Sequence, residues 1–202
     1  MDQVKNRSEK NTHSSKTKDM NFVFCSFTFI CFAIIFALVV YDVLTIQNLL
    51  SFDRPMESIM ILGVSSIALL LFGVVLTLTI PSNYIDDNNH TYQEDSLPRI
   101  FTFMFIAALF EETLFRGIIQ NVLFLFISHE WMAILLTTGL FLVFHIQYFK
   151  KPIMLLNISI PSLVFGWIYF KTNNLLVPIF VHFIMNIGMT MLFKYKLIRF
   201  KK

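Results

Sequence analysis

Six polar side chains able to take part in chemistry lie inside stretches of this sequence that are otherwise apolar: Glu111, Glu112, Arg116, His145, His182 and Asn186. A charge at the middle of a bilayer costs about 2.5–3.5 kcal/mol on insertion scales, so such residues are functional candidates by default. A carboxylate beside a neutral imidazole can take a proton from water. A second imidazole and an amide can donate to the oxyanion formed when that water attacks a carbonyl. The residue types therefore point to hydrolysis of an amide inside a membrane.

The spacing of these residues separates the two adjacent glutamates. Glu112 and Arg116 are four residues apart, so on a helix they share a face and can form an ion pair. Glu111 is rotated by about 100° from Glu112 and has no such partner on its own helix. His182 and Asn186 are also four residues apart and share a face of another helix.

The depths of these side chains in a membrane can be compared by counting along the chain. At about 1.5 Å per residue from flanking lysines, the two histidines and Asn186 lie roughly 7–18 Å deep. Glu111 is twelve residues from Arg99 and reaches the same depth if the start of its helix protrudes. We therefore expect four groups to converge in the cytoplasmic half of the membrane: Glu111, His145, His182 and Asn186. The same glutamate and two histidines can also hold zinc, and the sequence does not separate a metal-free site from a zinc site.

The composition sets the class of protein that must position these residues. The chain has 202 residues, of which 56% are hydrophobic and 14% charged, whereas soluble domains carry about 25% charged residues. Apolar runs of about 20 residues can cross a bilayer as helices. The sequence predicts an all-α, polytopic transmembrane bundle of about six helices, over roughly 21–41, 58–80, 100–127, 131–149, 153–170 and 174–193.

The distribution of positive charge predicts the topology. With the N-terminus in the cytoplasm, thirteen Lys and Arg residues fall on the inner side, and only Arg54 and Lys171 fall outside. The positive-inside rule therefore favours an N-in, C-in arrangement. The net charge of +3 reflects this topology, so we expect the basic ends to engage membrane lipids and no nucleic acid to bind.

Four segments are expected along the chain. Residues 1–20 form a polar cytoplasmic arm, disordered or lying on the lipid surface. Residues 21–99 hold two transmembrane helices and an acidic, turn-rich loop that we expect to be mobile near the mouth of the site. Residues 100–193 form a core of four helices with the polar residues, and 194–202 form a basic tail.

Three short motifs occur in order on separate predicted helices. They are E-E-x-x-x-R at Glu111, Glu112 and Arg116, F-x-x-x-H at Phe141 and His145, and H-x-x-x-N at His182 and Asn186. Together they resemble the CAAX-protease and bacteriocin-processing (CPBP, ABI) family of intramembrane peptidases, which includes the type II CaaX prenyl endopeptidases. The resemblance covers roughly residues 100–193, and the first two predicted helices match no pattern of the family.

The resemblance implies a role for each motif. Glu111 would activate the water together with His145, while His182 and Asn186 would stabilise the oxyanion. The Glu–Arg pair of the first motif would support the site electrostatically. The implied substrate is a membrane-associated peptide or lipidated protein, cleaved near the cytoplasmic face of a bacterial cell membrane.

Two other functions fit the same residues. A non-catalytic protein of this fold could act in bacteriocin immunity or in regulation, with the polar groups kept for structure. A small transporter could use the Glu and His groups to relay protons. Loss of function on replacing Glu111 separates the peptidase from the non-catalytic protein, and proton leakage across vesicles identifies the transporter.

Overall fold

The computed structural model describes residues 2–80 and 95–198, with side chains described from residue 19 onward. The described segments are helical, and the bundle is built from eight α-helices, one π-helical segment and one 3₁₀ turn. In chain order the α-helices are α1 (Asp2–Val40), α2 (Ile46–Leu49), α3 (Pro55–Thr79), α4 (Leu97–Glu112), α5 (Asn121–Ile127), α6 (Glu130–Phe144), α7 (Pro152–Thr172) and α8 (Leu176–Lys194). The π-helical segment, Thr113–Gln120, joins α4 to α5, and the 3₁₀ turn, Ile146–Tyr148, follows α6.

Among the residues that the structure describes, four helical stretches are long and apolar enough to cross a membrane: Asp19–Val40, Pro55–Thr79, Pro152–Thr172 and Leu176–Lys194. The helix α6 is apolar but shorter, since it ends at Phe144. The predicted run 100–127 is one helical path whose middle third is π-helical. These elements confirm the all-helical membrane bundle.

Proline and asparagine mark several of the helix ends. Pro55, Pro98 and Pro152 each lie in the first turn of a helix, where a missing N–H costs no intrahelical hydrogen bond. The helix α7 ends at Asn173, whose φ of 46° is left-handed and is tolerated by asparagine.

The C-terminal helix α8 lies at the centre of the bundle and packs against α3, α4 and α7. On one side Val177 and Val181 meet Leu69 of α3 and Phe165 of α7. On another side Phe183 packs with the buried face of α4. Because α8 carries His182 and Asn186, this central position brings both side chains into the interior.

The loop after α1 is joined to the loop between α7 and α8 at one end of the bundle. An isolated antiparallel β-bridge links Leu50 and Asn174, and the Asn174 side chain donates to the carbonyl of Ser51 at 2.8 Å. The Tyr169 hydroxyl donates to the carbonyl of Asn48 at 2.7 Å. These bonds fix the first two spanning helices to the region that carries the three motifs.

The helix α1 already begins at Asp2, so the backbone of the polar arm is helical. Its position at the lipid surface stays a prediction. The predicted mobile loop lies largely outside the described residues, which resume at Asp95.

Candidate functional site

The centre of the candidate site is an ion pair buried between helices. Arg116 Nη1 lies 3.2 Å from Glu112 Oε1, and both side chains are 0% exposed. This is the pair that the four-residue spacing predicts. Glu112 is the last residue of α4 and Arg116 lies in the π-helical segment.

His182 of α8 completes this pair from the opposite wall. Its Nδ1 lies 2.8 Å from Glu112 Oε1, and because a carboxylate can only accept, Nδ1 carries the hydrogen. Its Nε2 then points towards Glu111, 3.8 Å from Oε2. Glu112, which we expected to be only supporting, is thus the closest partner of His182. The two carboxylates thus lie at opposite edges of one imidazole, and Glu112 is hydrogen-bonded to it.

Arg116 is held by three further residues besides Glu112. Its Nη2 donates to both the carbonyl oxygen and the Oγ of Ser162, each at 2.8 Å. Its Cζ lies 5.5 Å from the ring centroid of Phe141 and 5.4 Å from that of Phe165. Two aromatic faces flank the guanidinium and stabilise its charge by cation–π attraction. Phe141, the first residue of the F-x-x-x-H motif, therefore contributes to the electrostatics of the site.

Phe165 also orders His182, because its ring stacks on the imidazole with centroids 4.8 Å apart and planes 20° apart. One aromatic side chain of α7 thus contacts both the arginine and the histidine. The contact restricts rotation of the His182 ring, and with the Glu112 bond it fixes the direction of Nε2.

His145 lies where α6 ends, at the C-cap position. Its Nδ1 lies 2.9 Å from the carbonyl oxygen of Phe141, so Nδ1 donates, and in the neutral ring Nε2 keeps its lone pair. The ring is partly exposed and stacks against Tyr148, with planes 12° apart. These contacts leave Nε2 free to accept a proton.

Glu111 is the more accessible of the two glutamates, with a side chain that is 20% exposed. Its carboxylate interacts electrostatically with His182, His145, Glu112 and Arg116. Five of the six predicted residues, all except Asn186, therefore lie close enough to interact around the Glu111 carboxylate.

Asn186 is the sixth residue, one turn beyond His182 on α8. It is partly buried, and its side-chain amide makes no hydrogen bond with any residue that the structure describes. The bond recorded for Asn186 is at its backbone carbonyl, which accepts from Thr190 Oγ1 at 2.8 Å. Its amide is therefore free to bind another molecule, and it makes no hydrogen bond with the other five.

The π-helical segment is stabilised by residues that the sequence reasoning missed. Asn121 Nδ2 lies 3.2 Å from the carbonyl of Arg116, 3.0 Å from that of Gly117 and 2.6 Å from the hydroxyl of Tyr169. Gln120 Nε2 donates to the carbonyl of Gly166 at 3.0 Å. A π-helical turn often marks a functional site. The signal was available, because these two amide side chains also interrupt the apolar run 100–127.

The described side chains include no group of three or more His, Cys, Asp or Glu that could hold a metal ion. Zinc binding by Glu111, His145 and His182 therefore stays a prediction. Both imidazoles use Nδ1 for a protein acceptor. The arrangement can position a water near Glu111 and place donors or acceptors on two sides of it.

Comparisons with known proteins agree with the motifs. A family model described as Type II CAAX prenyl endopeptidase Rce1-like matches residues 93–188. The chain is 30% identical over 128 residues to the uncharacterized protein YpbD of Bacillus subtilis (strain 168), an alignment that covers 61% of this chain and 63% of the relative. The chain thus spans less than two thirds of that relative's length. No solved structure matches significantly.

The matched region contains all three motifs and the central helix α8. The apolar helices and the family match together identify an integral, multi-pass membrane protein. Residues 93–188 are therefore similar to the Rce1-like type II CAAX prenyl endopeptidases, the group that the three motifs resemble.

Proposed function

We propose that this protein is an intramembrane endopeptidase that hydrolyses a peptide bond near the cytoplasmic face, with a water activated by Glu111. The observation that supports this most is the different environment of the two adjacent carboxylates. Glu112 is fully buried and bonded to Arg116 and His182, so it is not available to a substrate. Glu111 is partly exposed and faces His182 Nε2, which leaves it free to act as the base.

In the proposed reaction, Glu111 takes one proton from water as the water oxygen bonds to the carbonyl carbon. The Nε2 lone pair of His145 orients the same water. The carbonyl oxygen becomes an oxyanion, which accepts hydrogen bonds from the Asn186 amide and from His182 Nε2–H. The C–N bond then breaks, and the proton held by Glu111 passes to the leaving amine.

The oxyanion role of His182 requires a proton on both ring nitrogens, because Nδ1 remains bonded to Glu112. The carboxylates at 2.8 Å and 3.8 Å compensate the positive charge of that ring. Arg116 and its aromatic neighbours hold Glu112 in place. In this scheme the supporting pair sets the orientation of His182 and does not touch the substrate.

The proposed substrate is a membrane-associated peptide or a lipidated protein. The family description names CAAX prenyl endopeptidases, and the site lies inside a bundle whose outer surface is apolar. A peptide delivered with a lipid anchor would reach Glu111 from the membrane, where its apolar part remains buried.

The test is cleavage of a farnesylated CaaX peptide and a membrane-peptide library by the purified protein, with and without a strong chelator. Glu111→Gln should lower the rate by about 10²–10⁴-fold, the contribution of a general base. Asp42→Asn is the matched control, because this exposed carboxylate lies in the turn after α1, where asparagine tolerates the left-handed φ of 55°. Equal rates for wild type and Glu111→Gln would contradict the assignment.

The chelator arm addresses the zinc site suggested by the sequence, with Glu111, His145 and His182 as ligands. Activity that survives the chelator would support the metal-free scheme proposed here. Activity lost on chelation and restored by zinc would show that the three residues gather around a metal in the active form. Absence of cleavage by wild type would favour the alternative, a non-catalytic role in bacteriocin immunity or regulation.

A further inference from the structure

A cavity of about 300 Å³ opens at the end of the bundle opposite His145. This volume is at the lower end of the range of about 300–1,000 Å³ usual for small-molecule sites. Its lining includes Arg54, Glu130, Trp131, Trp167, Phe170 and Lys171. A second, smaller cavity shares Arg54 and Lys171 with it. None of these residues belongs to the three motifs.

The aromatic residues place this cavity at the depth of lipid headgroups. Trp131 and Trp167 are the two tryptophans of the chain, and they are 53% and 39% exposed. Lys171 lies in the last turn of the spanning helix α7, and Trp167 lies one turn before it. Indole rings and lysines concentrate at the membrane–water interface, where the ring is half-buried and the ammonium reaches water.

The charges around the cavity are only partly compensated within the protein. Arg54 Nη1 lies 3.0 Å from Glu57 Oε2, and Lys171 Nζ lies 3.6 Å from Glu57 Oε1. The carboxylates of Glu57 and Asp53 line the smaller cavity with these two cations, whereas the larger cavity is lined by the two cations and Glu130. The lining of the larger cavity therefore has one more positive than negative side chain. Glu130 belongs to a different helix, α6, and has no ion-pair partner in the described parts of the chain. The cavity therefore offers positive charge from the start of α3 and the end of α7, and a carboxylate from the start of α6, with two indoles beside them.

We propose that this cavity binds the headgroup of a zwitterionic phospholipid. The phosphate lies between Arg54 and Lys171, where charge-assisted hydrogen bonds are strongest. The ammonium lies at Glu130 against the indole faces, which attract cations. The acyl chains leave along Phe170 into the surrounding bilayer. A headgroup with negative charge alone would satisfy the cations and be repelled by Glu130.

The experiment measures lipid binding to the detergent-purified full chain by native mass spectrometry. The probes are phosphatidylethanolamine and phosphatidylglycerol with identical acyl chains, which share the phosphate and differ in the ammonium. Wild type should bind phosphatidylethanolamine more tightly. Glu130→Gln should weaken that lipid about tenfold, the effect of losing one charged hydrogen bond, and should not weaken phosphatidylglycerol.

A second variant tests the phosphate side of the cavity. The double replacement Arg54→Met with Lys171→Met should weaken both lipids, because both carry the phosphate. Lys150→Met, an exposed lysine at the other end of the bundle, is the matched control and should change neither. If the double variant does not fold, the binding of the two lipids by wild type and by Glu130→Gln tests the proposal by itself.

Equal binding of the two lipids by wild type, or equal loss in Lys150→Met and the double variant, would overturn the proposal. Either result would mean that lipids attach without using this cavity. The measurement is independent of the proposed peptidase activity, because it scores bound lipid and no cleavage. Loss of lipid selectivity in a variant that still cleaves peptides would confirm that the two sites are separate.

Discussion

Two Arg–Glu pairs in this molecule have nearly the same length and very different surroundings. Arg116 and Glu112 are 3.2 Å apart and 0% exposed, whereas Arg54 and Glu57 are 3.0 Å apart with side chains that are 66% and 34% exposed. Exposed pairs contribute about 0–1 kcal/mol. Removing one partner of a buried pair costs about 3–5 kcal/mol, because the other charge stays buried and uncompensated. Burial, and not the distance between the charges, decides what each pair does.

The buried pair also has a wider network than the exposed one. Glu112 accepts from His182 as well as from Arg116, and Arg116 donates to Ser162 on α7. Three separate helical elements are thereby fixed around Glu111. The exposed pair joins a helix start to Lys171 and remains open to ligands.

The largest effect is expected for Arg116→Met. The change leaves the Glu112 carboxylate in the interior with only His182 as a partner, so we expect a loss of about 3–5 kcal/mol in unfolding free energy. The measurement is reversible unfolding in mixed micelles, followed by circular dichroism. Unchanged stability of Arg116→Met would mean that Glu112 is neutral in the folded protein.

Asn121→Leu should have the next largest effect. It removes the donor to the carbonyls of Arg116 and Gly117 and to the Tyr169 hydroxyl. Leaving buried polar groups unpaired costs about 1–3 kcal/mol, and the same unfolding assay measures the loss. A double-mutant cycle with Tyr169→Phe should show a coupling energy, since the two side chains share one hydrogen bond. Additive effects would argue against this network.

Gly166→Ala tests the packing next to the network. An added Cβ would lie 2.8 Å from Gln120 Oε1 and 3.0 Å from Ile134 Cγ2, so we expect a cost of about 1–3 kcal/mol from overpacking. Gly139→Ala is the matched control, because a Cβ there meets nothing within 4 Å. In the control, alanine should stabilise the helix by about 0.5–1 kcal/mol. Equal shifts for the two variants would show that the α7 interface adapts freely.

The smallest effect is expected for Arg54→Met, the counterpart of Arg116→Met. Its pair with Glu57 is exposed, so the change should cost at most about 1 kcal/mol. The difference between wild type and variant should shrink further at high salt, because exposed charges are screened. A loss as large as that of Arg116→Met would remove the distinction between the two pairs.

Much of the fold follows from the sequence, because apolar runs of spanning length leave few alternatives to a helical bundle. The Glu112–Arg116 pair follows as well, because residues four positions apart remain on the same side of the helix when α geometry changes to π geometry. The bond from His182 to Glu112 was not predictable, because Glu111 and Glu112 are adjacent carboxylates that differ only in the direction in which they leave the helix. Gln120 and Asn121 interrupt the apolar run at the π-helical segment, but only the structure shows its geometry, in which Asn121 Nδ2 donates to the carbonyls of Arg116 and Gly117. Ser162 was missed because serine is common in spanning helices.

The hydrogen bond from Tyr169 to Asn48 spans 121 residues, which has a consequence for biosynthesis. A chain made from its N-terminus inserts the helix with Glu112 and Arg116 well before α7 emerges. Until then Ser162 and Tyr169 have not been synthesised, so Arg116 and Asn121 lack these hydrogen-bond partners in the nascent chain. In this transient intermediate the Glu112–Arg116 pair has fewer hydrogen-bond partners than in the finished protein. The site is complete only after α7 and α8 have packed against the earlier helices.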